Sequence, residues 1–156
     1  MSCVVTGGGR GVGRGIVERL VGGGTVVVVI ERDADAVSWV QRHPYRDRLV
    51  TVIGDAADEG VADRAADLAE RVQPMSGWVN NAAVFRDASV HEAPVGEVVD
   101  LITRNLRPAV VGAATAVRRF LAAGTAGAIV NISSTRRAAR CRGACRTPRR
   151  RRPSRG

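Results

Sequence analysis

The chain has 156 residues and a formal net charge of +9, and every one of its 24 basic residues is an arginine. With no lysine, it cannot be a phosphate-loop NTPase, a Schiff-base enzyme or any enzyme built on a lysine-activated tyrosine. Three cysteines without paired spacing and two histidines (His43, His91) offer neither a disulfide framework nor a histidine-rich metal site, and no metal is expected. The charge is uneven: residues 1–135 hold 14 arginines and all 15 acids and sum to −1, whereas residues 136–156 hold ten arginines and no acid. The basicity therefore belongs to a tail, not to a basic domain. No secretory leader pattern opens the chain, and its longest strongly apolar run, Val26 to Ile30, is too short to span a bilayer. A cytoplasmic protein with no membrane partner is expected.

Cys3 to Thr6 is a short apolar run ending in glycines, which suits a buried strand. From Val12 the period changes: Val12, Ile16 and Leu20 step by four, with Val17 and Val21 beside them, and Gly22-Gly23-Gly24 closes this helical face. Thr25 to Ile30 is a second strand, rich in β-branched residues, and Asp33 to Gln41 is helical, ended by Pro44. Leu49 to Ile53 is a third strand; Val61, Ala65, Leu68 and Val72 then follow at helical spacing up to Pro74. Gly77 to Asn80 reads as a weaker fourth strand. Val95, Val98, Val99 and Ile102 mark one helix, and Val110, Ala113, Val117 and Leu121 mark another after Pro108. Ala128 to Ile132 is the fifth strand.

Strands that alternate with helices and lack one wet face imply a parallel sheet covered on both sides, with right-handed crossovers. Such open α/β sheets bind ligands beyond the carboxyl ends of their strands. After Ile132 the character breaks: residues 133–156 contain no aromatic, Val, Leu, Ile or Met, and Arg149 to Arg152 is an unbroken arginine run. Such a segment cannot bury enough apolar surface to order itself, so a disordered tail is expected.

The loop after the first strand reads Thr6-Gly7-Gly8-Gly9-Arg10-Gly11-Val12-Gly13. Glycines at 7, 11 and 13 permit positive φ, close backbone approach and tight packing of helix on strand. The helix opening here turns its free N–H groups and positive dipole end toward a pyrophosphate. Glu31 ends the second strand eighteen residues after Gly13, where a carboxylate accepts from both ribose hydroxyls of an adenosine and repels a 2′-phosphate, favouring NAD. Arg10 and Arg32 lie nearby and favour NADP instead.

At this point the residues resemble a known family. Thr6-Gly7-x-x-x-Gly11-x-Gly13, Asp55 after the third strand, Asn80-Asn81-Ala82-Ala83 after the fourth, Asn105, and Ile129-Val130-Asn131-Ile132-Ser133-Ser134 are together similar to the short-chain dehydrogenases/reductases over residues 3–134. Only Ala83 departs within that stretch, where the family usually has glycine. The resemblance implies an incomplete Rossmann-type, doubly wound parallel sheet of about five strands in residues 1–134, with residues 135–156 as the disordered tail. It implies that Asp55 and Ala56 meet the adenine, that Asn81 and Ala82 tie the fourth strand to the ribose side of the cofactor, and that Asn105 holds a water of the proton relay. It also implies that Ser134 donates to the reacting oxygen of the substrate. Leu101 and Asn105, four apart, put that amide on a largely apolar helical face, where bracing the helix is the competing role.

In that family a Tyr-x-x-x-Lys element follows the serine. A free phenol titrates near pH 10, and the lysine charge helps to bring it into use. Here Thr147 and Arg151 stand near those places, and the chain's only tyrosine, Tyr45, precedes the third strand. The resemblance thus implies an oxidoreductase that moves hydride between NAD (or NADP) and an alcohol or carbonyl carbon, with this chain alone inactive. It implies homo-oligomers for intact members, but the helix that would partner Val110 to Leu121 is missing here. The abrupt change near residue 135 reads as a frame shift in a GC-rich gene, since wrong-frame GC-rich codons give Arg, Pro, Ala, Gly and Cys. Two other readings remain: a nucleotide-binding module without turnover, and nonspecific nucleic-acid binding through the arginine tail.

Overall fold

The computed structural model describes residues 1–86, 88 and 90–133. Five strands, β1 (Ser2–Thr6), β2 (Val26–Glu31), β3 (Leu49–Ile53), β4 (Met75–Asn80) and β5 (Ala128–Asn131), form one sheet in the order β3-β2-β1-β4-β5. Every neighbouring pair is parallel. This is the doubly wound arrangement that the alternating pattern predicts: the chain runs outward from β1 to β3, then crosses back to β4 on the other side of β1.

Alternate residues of each central strand feed two cores. Cys3, Val5, Val27 and Val29 point to one face, where they pack with Val17 and Val21 of α1 (Gly11–Gly22) and with Val37 and Val40. Val4, Val28 and Ile30 point to the other face, under α2 (Glu59–Val72) and α3 (Val95–Ala123). There the small Ala62, Ala65, Ala66 and Ala69 let α2 lie close on the sheet, and Trp78 fills the space beside Val111, Ala116 and Phe120. Arg119 of α3 clamps the two helices together, reaching Asp67 at 2.8 Å, Glu70 at 3.1 Å and Asp63 at 3.7 Å.

Three helical expectations change. The face of α1 that meets the sheet runs through Gly13, Val17 and Val21, while Val12 is 65% exposed. The segment after β2 is a 3₁₀ helix, Ala34–Arg42, started by the Asp33 carboxylate, which accepts from the Asp35 N–H at 3.0 Å. The two helices expected on either side of Pro108 are one continuous helix, α3, with Pro108 buried inside it. An interior proline costs a helix about 3 kcal/mol. Here the buried run Val111, Gly112, Thr115, Ala116 and Phe120 anchors the following turns on β4 and α2 and offsets that cost. The Val110, Val117 and Leu121 stripe faces outward. Among the described residues, no helix is long and apolar enough to cross a membrane. The arginine tail, expected to be disordered, lies outside the described residues.

Candidate cofactor site

In a parallel sheet all carboxyl ends share one edge, and here they bring together the ends of β1, β2, β3 and β4. The crevice opens between β1 and β4, where the connections leave in opposite directions. On the β1 side is the glycine-rich loop. Gly7 and Gly11 take φ of +66° and +54°. A Cβ on Gly13 would lie 2.1 Å from the Gly7 oxygen and 2.4 Å from Asn81 Nδ2, so only glycine lets α1 start this close to the loop. A Cβ on Gly11 would meet nothing within 4 Å, which leaves the mouth of the helix open. Arg10 caps α1 without a side-chain bond, and no acid sits in the first turn. The first main-chain bond of the helix runs from the Arg14 N–H to the Arg10 oxygen. The N–H groups of Gly11, Val12 and Gly13 therefore have no partner within the helix, and they sit at its positive end.

The β4 side locks this loop in place. Asn81 Nδ2 donates to the oxygens of Thr6 (3.1 Å) and Gly7 (3.0 Å). The buried Thr6 hydroxyl accepts from the N–H groups of Asn81 and Ala82, both at 3.0 Å, and donates to the Val79 oxygen. Thr6 and Asn81 thus act as the clamp between the two strands, with both amide hydrogens of Asn81 spent on the loop. Asn80, just before them, stands in the Asn80-Asn81-Ala82-Ala83 run, and the sequence reading gives it no role of its own. It is buried, accepts from Trp78 Nε1 at 2.9 Å, and donates to the Ala109 oxygen (3.2 Å) and Asn131 Oδ1 (2.9 Å). It joins β4, α3 and β5, a junction that its place in that run does not reveal.

At the end of β2, the Glu31 carboxylate accepts from the N–H groups of Gly9 (3.1 Å) and Arg32 (2.9 Å). Arg10 is paired with Asp33. The Asp35 N–H, together with Arg10, outweighs desolvation and holds the Asp33 carboxyl below its ordinary range. Arg32 is exposed and makes no ion pair among the described residues. Trp39 ties the 3₁₀ helix to the loop, donating from Nε1 to the Gly9 oxygen at 3.1 Å. Neither Asp33 nor Trp39 was singled out from the sequence as part of the site, because each acts through a partner more than twenty residues away.

At the end of β3, Asp55 is exposed and bonds the Ala57 N–H at 2.9 Å. Ala56 is buried in the core beside α2, so only its backbone can face a ligand. In α3, Asn105 Oδ1 accepts from the Val84 N–H at 2.7 Å, and Nδ2 donates to the oxygens of Val84 (3.2 Å) and Leu101 (2.9 Å). Both donors are used in holding the segment after β4, so the amide braces the backbone here and keeps only one acceptor lone pair free. Ser134 lies outside the described residues. Tyr45 precedes β3, at the opposite end of that strand from Asp55. Burial pushes the Cys3 thiol up to about 11, so it stays protonated at neutral pH and is no nucleophile.

A family model described as short chain dehydrogenase matches residues 2–144. The chain belongs to the short-chain dehydrogenase family. The match runs ten residues past Ser134, into the arginine-rich segment. Among curated family members, the chain is 29% identical over 155 residues to 3beta-hydroxysteroid dehydrogenase 2 of Eggerthella lenta, covering 92% of this chain and 57% of that protein. It is 36% identical over 133 residues to L-xylulose reductase of Bos taurus, covering 84% and 52%. Its fold is similar to that of a gluconate 5-dehydrogenase from Burkholderia cenocepacia in complex with NADP and tartrate, with a TM-score of 0.71 and 28% identity over 85% of this chain and 53% of that one. The chain spans about half the length of the curated relatives it matches.

Proposed function

We propose that residues 1–134 form the NAD-binding part of an oxidoreductase that moves a hydride between a nicotinamide and an alcohol or carbonyl carbon. The reading rests above all on the open mouth of α1, where three N–H groups without helical partners stand over a glycine loop clamped by Thr6 and Asn81. The residues present fit a dinucleotide: donors and dipole for a pyrophosphate, and a carboxylate at the end of β2 for ribose hydroxyls. Glu31 and Asp33 favour NAD over NADP. Two carboxylates at and just after the end of β2 would repel a 2′-phosphate, and Asp33 pairs with Arg10, leaving Arg32 without an ion pair among the described residues. When bound, the nicotinamide supplies the hydride donor or acceptor. The chain's own residues hold and orient it through Thr6, Gly7, Gly11, Val12, Gly13, Glu31, Asp55, Asn81 and Ala82, and Asn105 fixes the Val84 backbone beside the crevice.

For proton transfer the chain offers Ser134 but no Tyr-x-x-x-Lys, and its lone tyrosine sits at the wrong end of β3. A threonine hydroxyl at 147 is far too weak an acid to take the place of the tyrosine. We therefore expect cofactor binding without turnover from this chain alone. Titration calorimetry with NAD and NADP tests the first half: NAD at least tenfold tighter supports the reading, and no binding of either sinks it. A hydride-transfer assay with a panel of secondary alcohols tests the second: turnover that Ser134→Ala abolishes would show that the chain is a complete catalyst.

A further inference from the structure

A cavity of about 430 Å³ opens between α1 and the 3₁₀ helix, lined by Arg14, Ser38, Trp39, Arg42, His43 and Pro44. Of these residues only Trp39 touches the glycine loop, through its indole N–H, and no carboxylate lines the cavity. Each of its polar side chains can donate a hydrogen bond. The His43 Nδ1 already accepts from the Tyr45 N–H at 3.2 Å, which leaves Nε2 to carry the ring's proton. Arg14 bonds Glu18 through Nε at 2.8 Å, leaving its terminal nitrogens for another partner. Its guanidinium is held over the Trp39 ring, 4.6 Å from the centroid, and that ring is fixed by its bond to Gly9 and by the edge of His43 at 5.5 Å. Arg42 makes no ion pair among the described residues.

We propose that this cavity is an anion site for a small phosphate-bearing molecule, separate from the cofactor crevice. Two guanidiniums, a hydroxyl and an imidazole N–H make a donor-rich lining, and the three terminal oxygens and higher charge of a phosphate monoester use more of it than the two oxygens of a carboxylate. Arginine is the residue suited to that planar, two-pronged contact, and the stacking on Trp39 orients one guanidinium in advance. A volume of this size holds a small ligand.

Trp39 is itself the reporter, because the chain's other tryptophan, Trp78, is fully buried in the opposite core. The full chain is titrated with inorganic phosphate at constant ionic strength, following tryptophan emission, with sodium chloride as the control. A saturable change specific to phosphate is expected, weakened at least tenfold by Arg42→Ala and kept in Arg10→Ala. Arg42 is exposed, so removing it leaves the core untouched. No saturable response, or an equal response to chloride, overturns the proposal. A response that survives Arg42→Ala also overturns it, and if Arg10→Ala removes that response the phosphate occupies the glycine loop.

Discussion

β2 and β5 have similar sequences and very different surroundings. Val26 to Ile30 and Ala128 to Val130 are both small, largely β-branched apolar runs, yet the first is buried on both faces while Val130 is 47% exposed. β2 lies between β1 and β3, with α1 and the 3₁₀ helix on one face and α2 on the other. Among the described residues, β5 pairs only with β4, and only Ile129 of it packs on the α3-side core. An apolar run specifies a strand; whether that strand is a core depends on what the rest of the chain lays over it.

The sharpest way to break this comparison is to put a charge in each strand. Val28→Asp places a carboxylate among fully buried side chains and should unfold the chain, because an unpaired buried charge costs several kcal/mol. Val130→Asp should leave the unfolding free energy within about 0.5 kcal/mol of the parent and improve solubility by blunting the edge strand. Urea denaturation followed by circular dichroism measures both, and equal losses would mean that β5 is covered as β2 is.

A finer contrast lies within α1. Gly13→Ala forces a methyl against the Gly7 oxygen and should cost about 3 kcal/mol and abolish NAD binding. Gly15→Ala, two residues on, meets nothing within 4 Å and should stabilise the helix by about 1 kcal/mol with binding intact. Calorimetry and thermal melts separate the two, and similar outcomes would mean that the loop is looser than its hydrogen bonds indicate. On the other side of the sheet, Asn80→Ala leaves the Trp78 indole N–H without its partner and should cost about 2 kcal/mol. Hydrogen exchange should then rise mainly in β5 and the second half of α3, because Asn80 is what ties them to β4.

The sheet was legible because its information is local: each strand sits within two residues of its apolar run, and the turns between carry glycine or proline. The glycine loop was legible for the same reason, since the spacing of Gly7, Gly11 and Gly13 is set by neighbours along the chain. The buried face of α1 was read one residue off because apolar counting credits Val12 and ignores Gly13, although the glycine is what packs. The stripe of α3 was legible as a helical face but not in its direction, because periodicity shows that a face exists and not which way it turns. Pro108 looked like a boundary because its local cost is visible in sequence and the packing that offsets it is not. Arg10 with Asp33, Trp39 with Gly9, and the Asn80 junction join residues far apart in the chain, so no window of sequence contains them.

The smallest effect expected is at Asp33, and it bears on cofactor choice. Its carboxyl lies below the ordinary value of 3.8 because the Asp35 N–H and Arg10 favour the charged form over the cost of desolvation. A depressed folded-state value means that the carboxylate stabilises the chain fully above the unfolded value and loses that contribution as pH falls through the folded one. Asp33→Asn keeps an oxygen for the Asp35 N–H but cannot pair with Arg10. Between pH 5 and 7 the difference between parent and variant midpoints should be constant, and below about pH 3.8 it should close. The substitution leaves the Arg119 cluster between α2 and α3 unchanged, so its contribution cancels from that difference. The same substitution frees the Arg10 guanidinium at the end of β2, and NADP affinity should rise relative to NAD. A difference in midpoint that closes on acidification without any change in cofactor preference would show that Arg10 is held by Asp33 for the fold alone and lies beyond reach of the 2′ position.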